Sequence, residues 1–147
     1  MSRSHLINGT EHFSYSEFNI SGCYLPVQTR SKIYTNFMLP LERARAILKR
    51  PIYVSLKSGY RSSNWELLHG RQYISEHQFI LKGAVDLVFY SDLSDVLFEF
   101  KIFPRIIYYP NEGFIHCDYK GSDSYICAFY VMAADRKSMR LVKYVAK

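Results

Sequence analysis

The chain has 147 residues, 48% of them hydrophobic and 22% charged, a balance that suits one folded domain and excludes a disordered segment. Its formal net charge of +6 favours acidic partners: nucleic acid, anionic membranes or an anionic cell wall. Yet no run of about five or six Lys/Arg occurs, so no nucleic-acid arm is expected.

Residues 1–11 read as a flexible polar tail without the apolar segment of a secretory signal, and residues 12–147 as a single domain. Phe13-Ser14-Tyr15-Ser16-Glu17-Phe18 combines an S-x-x-E capping pattern with the spacing of a hydrophobic staple, which predicts a helical turn. From Asn36 to Lys49 the residues Phe37, Met38, Leu41, Ala44, Ile47 and Leu48 share one helical face. Pro40 places the start of the regular helix near itself, and Pro51 ends it. Ile52–Leu56 reads as a strand, residues 60–76 as loop, Gly83–Tyr90 as a strand and Asp92–Lys101 as a helix. Ile106–Tyr109 and Phe114–Asp118 read as strands about a Pro-Asn-Glu-Gly turn, and residues 124–133 and 139–145 as a closing hairpin. Helices early and strands late predict an α+β domain with a largely antiparallel sheet. The longest apolar run, Tyr125–Ala134, is too short to span a membrane.

Three polar residues stand out against their surroundings. Asp86 lies within the apolar Gly83–Phe89, His116 within Phe114–Asp118, and His77 in the loop before the Asp86 strand. A carboxylate inside a buried strand is costly unless it is paired or bound to a metal. Two imidazoles and one carboxylate suit a zinc ion and leave its fourth position for water. The odd cysteines Cys23, Cys117 and Cys127 form no C-x-x-C pair and read as small core thiols, not as a disulfide framework or a zinc ribbon.

The motifs occur in a telling order: Ser58-Gly59-Tyr60-Arg61, Ser75-Glu76-His77, Gly83-Ala84-Val85-Asp86 and Phe114-Ile115-His116-Cys117-Asp118. This series resembles the zinc D-alanyl-D-alanine carboxypeptidase family, in particular its small peptidase domains in phage and bacterial cell-wall enzymes. That family reads SGYR, S-x-H, G-x-A-x-D and F-[IV]-H-x-D. The sixteen-residue interval from Arg61 to His77 matches its common spacing, and the resemblance covers roughly residues 12–119. It implies the hedgehog/DD-peptidase fold, with helices packed on a central sheet, and hydrolysis of peptidoglycan stem peptides or cross-links. It implies Zn2+ held by His77, Asp86 and His116, and Arg61 facing the substrate carbonyl, where a permanent planar cation stabilises developing negative charge. Tyr60 and Ser75, in the same motifs, are the substrate-binding candidates; core packing is the alternative for Tyr60.

The chain also departs from the pattern. His77 and Asp86 are nine residues apart, longer than usual, with the extra residues in 78–82. Glu66 replaces an expected Asn, and Gly113 stands where several relatives carry an acidic base. Asp118, on the same strand face as His116, and Glu112, in the preceding turn, are the remaining candidates to accept a proton. The plainer alternatives are that Asp118 orients His116 and that Glu112 is a solvated turn residue. The leading expectation is a phage-encoded zinc peptidase, made in the cytoplasm and acting at the wall. The alternative is a catalytically degenerate virion or wall-binding protein.

Overall fold

The computed structural model describes residues 9–19, 25–55, 77 and 82–147. The fold is α+β. A five-stranded mixed sheet, mostly antiparallel, carries its strands in the order β1-β3-β2-β4-β5. These are β1 (Ala84–Val88), β2 (Arg105–Tyr109), β3 (Phe114–Asp118), β4 (Tyr125–Met132) and β5 (Met139–Ala146). Among the described strands, β2 and β4 alone pair in parallel. The helices are α1 (Val27–Ile33), α2 (Leu39–Leu48) and α3 (Ser91–Glu99).

Helical chain begins at Val27, well before the start expected near Pro40. A wide π turn, Tyr34–Met38, joins α1 to α2. The turn sits where Pro40 would break an ordinary helix, because proline has no N–H to give to the Asn36 carbonyl four residues back. That carbonyl accepts the Tyr119 hydroxyl at 2.7 Å instead. The Asn36 amide in turn donates to the Lys82 carbonyl at 3.1 Å, which ties this turn to the approach to β1. Gly83 follows at φ +95°, a left-handed conformation open to glycine, and swings the chain into the strand. At the other end of α2, Lys49 is left-handed at φ 58° and Pro51 follows, as the sequence implies.

Alternation along the strands sorts side chains onto two faces. Val85, Leu87, Ile106, Ile115, Cys117, Cys127 and Phe129 point to the side covered by helices. There they pack with Phe37, Met38, Leu41, Leu93, Leu97 and Phe103. Each such large side chain contributes roughly 1.5–3 kcal/mol through burial. Phe13 and Phe18 bracket a short 3-10 turn, with ring centroids 6.4 Å apart, and close one edge of this core.

Of the strand expected at 52–56, Leu56 lies outside the described residues; residues 52–55 pair with β1 through a bridge from Val54 to Leu87. Its two backbone bonds, Ser55 N–H to the Asp86 carbonyl and Val88 N–H to the Tyr53 carbonyl, grip the outer edge of β1 at 2.8 and 2.9 Å. Among the described residues no helix is long and apolar enough to cross a membrane.

Candidate metal centre

Antiparallel register sets Asp86 of β1 directly opposite His116 of β3. Both lie on the sheet face turned away from the helices. The His116 Nδ1 atom is 2.8 Å from one Asp86 carboxylate oxygen, and His77 Nε2 is 3.5 Å from the other. The two imidazoles meet edge to face with centroids 5.3 Å apart. One ligand atom from each of the three residues falls within 4.8 Å of the others, so the group can hold a metal ion. The nine-residue interval therefore does not carry His77 away from Asp86. His77 and Asp86 are 5% and 7% exposed, which makes this a covered site and not a surface patch.

Behind His116 lies a carboxylate with no exposure at all, Asp118. It occupies the next position on the same face of β3, and register pairs it with Arg105 of β2. The Arg105 guanidinium donates to both Asp118 oxygens, through Nε at 2.7 Å and through a still closer Nη2 contact. His116 Nε2 donates to Asp118 Oδ2 at 2.7 Å, and the Lys120 N–H to Oδ1 at 3.0 Å.

Burial alone would raise the Asp86 carboxyl, but the neighbouring His77 and His116 outweigh it and hold it well below the usual carboxylate range. Burial likewise opposes charge on Asp118, yet the bonds from His116 and Arg105 bring it down to about 2. Burial would lower the His116 imidazole; its bonds to Asp118 and Asp86 instead lift it to about 9. Cys117, on the opposite face of β3, has a thiol pushed well up by burial, so it offers no thiolate to a metal.

A scan of family models, curated proteins and solved structures finds no match to the chain. The metal reading therefore stands on the donor set. Two ring nitrogens and one carboxylate oxygen, one imidazole backed by a second carboxylate, fit a divalent transition metal.

The remaining sequence candidates divide by position. Tyr60, Arg61 and Ser75 lie outside the described residues, as do Cys23 and Glu66. Glu112 sits in the turn before β3, where its carboxylate is 3.7 Å from Arg136 of the β4–β5 turn. The Arg136 guanidinium also lies over the Tyr109 ring, 5.0 Å from its centroid. Gly113 is left-handed at φ 72°, and its N–H closes the turn on the Tyr109 carbonyl at 2.9 Å. Backbone geometry thus favours glycine where an acidic base was expected. Arg105 is the residue that sequence reasoning passed over. Its signal was available, because counting outward from the 110–113 turn pairs 109 with 114 and hence 105 with 118.

Proposed function

We propose that the chain is a zinc-dependent peptidase of the hedgehog/DD-peptidase fold that hydrolyses peptide bonds in peptidoglycan stem peptides or cross-links. The observation that carries this reading is the convergence of His77, Asp86 and His116, three residues that stand at the ligand positions of the ordered motif series. A zinc ion there would polarise the scissile carbonyl and make a water nucleophilic near neutral pH.

The protein's own contribution begins with orientation. Asp86 presents one oxygen to each imidazole, and the covered site keeps bulk water from competing for the ligands. In this reading Arg61 faces the substrate carbonyl and stabilises charge as it develops, with Tyr60 and Ser75 lining the peptide. The excess of basic residues draws the protein to an anionic wall.

A second reading is a wall- or virion-binding protein of the same fold without turnover. Both candidate bases are already engaged, Asp118 with Arg105 and Glu112 with Arg136, and this favours it.

Digestion of purified peptidoglycan, with products identified by mass spectrometry and metal content measured on the same sample, separates the two. The peptidase reading expects about one zinc per chain and new peptide termini that vanish with chelator and with Asp86→Ala. Zinc at that level without any cleavage would establish the binding protein. Cleavage that survives Asp86→Ala would refute the metal-dependent mechanism.

A further inference from the structure

Asp118 was a candidate proton acceptor, but its surroundings assign it another task. An ionised carboxylate offers about four lone-pair directions. Here Arg105 Nε and the Lys120 N–H occupy Oδ1, while Arg105 Nη2 and His116 Nε2 occupy Oδ2. No direction is left for a substrate proton, and the carboxylate has no exposure to solvent.

The same contacts decide which way the His116 ring faces. A carboxylate can only accept, so Nε2 carries a hydrogen toward Asp118; Nδ1 likewise carries one toward Asp86 in the metal-free chain, and it is Nδ1 that gives up its proton to offer a lone pair to a metal. Nδ1 is the atom beside Asp86, 2.8 Å from its oxygen. The ring is therefore presented with its ligating nitrogen inward and its Nε2–H outward, provided that Asp118 itself cannot turn. Arg105 prevents it from turning. Its planar fork spans both oxygens, which fixes the plane of the carboxylate as well as its position. Arg105 reaches this place because it is the cross-strand partner of Asp118.

We infer that Arg105 and Asp118 act as a pair of positioning residues that lock His116 with Nδ1 facing the metal, and that Asp118 is not the base. The inference rests on the metal-centre reading and is independent of the peptide chemistry. Its signature separates geometry from charge. A lysine at 105 keeps the positive charge but loses the fork, so it should loosen the ring while still neutralising Asp118.

The test measures zinc affinity by competition with a chromophoric chelator on the full chain, for wild type, Arg105→Lys, Arg105→Gln and Asp118→Asn. It also records the visible spectrum of the cobalt-substituted proteins and the thermal unfolding of the metal-free ones. Expected is a loss of about 10- to 100-fold in zinc affinity for Arg105→Gln and Asp118→Asn. Arg105→Lys should fold like wild type and yet bind zinc more weakly, with altered cobalt bands. If Arg105→Gln does not fold, the Lys and Asn variants decide. Wild-type affinity and an unchanged cobalt spectrum in folded variants would overturn the inference. A wild-type chain that binds neither zinc nor cobalt would instead overturn the metal-centre reading on which it rests.

Discussion

Leu87 and Asp86 are neighbours in β1, yet they belong to different kinds of structure. Leu87 joins Val85, Ile106 and Ile115 against the helices, where contacts are numerous, weak and without direction. Asp86 faces the other way into a row of four polar side chains, Asp86, His116, Asp118 and Arg105, joined by short directional bonds across three adjacent strands. The covered face tolerates exchange of one apolar side chain for another of similar volume. The polar face does not, because each member satisfies the next, and removing one leaves a buried charge or donor without its partner. Stability is thus drawn mainly from one face, while the other holds the candidate metal centre, out of the same backbone.

That contrast can be broken most directly at β1 itself. Asp86→Ala should abolish stoichiometric metal binding, read by elemental analysis after gel filtration. Leu87→Ala should cost about 2–5 kcal/mol in denaturant unfolding and leave the metal affinity of the folded fraction roughly unchanged. If Leu87→Ala weakens metal binding as strongly as Asp86→Ala does, the two faces are not separable.

A pH series sharpens the same comparison. In the metal-free protein His116 is lifted from 6.5 to about 9, so its bound proton favours the folded state. That contribution is full below about pH 6.5 and is lost as pH rises through about 9. Asp118 is lowered from 3.8 to about 2, so its contribution is full above about 3.8 and is lost as pH falls through about 2. Thermal midpoints of the metal-free chain should therefore fall between pH 6.5 and 9. Zinc needs the Nδ1 lone pair, so its affinity should rise across that same window. Flat profiles for both quantities would contradict the bonding described around His116.

The smallest expected effect lies on the helical side. Tyr119→Phe removes the donor to the Asn36 carbonyl and should cost about 1 kcal/mol, with metal affinity unaffected. A larger loss, accompanied by weaker metal binding, would mean that the π turn also steers the approach to β1.

What could be read in the sequence follows from range. Strands β2 to β5, the helix α3 and the stop at Lys49–Pro51 rest on local alternation, periodicity and turn residues, and they stand close to where the sequence puts them. The start of the first helix was missed because Pro40 is a start signal in most helices, and here a π turn admits it inside one. The 52–56 segment has strand composition, and its described residues pair with the edge of β1. The parallel contact between β2 and β4 joins strands that are not consecutive, and no local pattern encodes it. At the site, Asp86 and His116 were legible as polar residues within apolar strands. Grouping His77 with them needed the order of the motifs, since its distance from Asp86 is closed by tertiary structure. Arg105 escaped because it stands at the very start of its strand, where an arginine usually reads as solvated.

The placement of the polar row on β1, β3 and β2 has a consequence for folding fidelity. A one-residue slip of β3 would turn Ile115 and Cys117 toward Asp86 and drive His116 and Asp118 into the apolar core. Such a slip would take Asp118 from Arg105 and His116 from Asp86 at the same moment. The row therefore proofreads the alignment of the three strands, and it does so in the bare polypeptide, before any ion arrives.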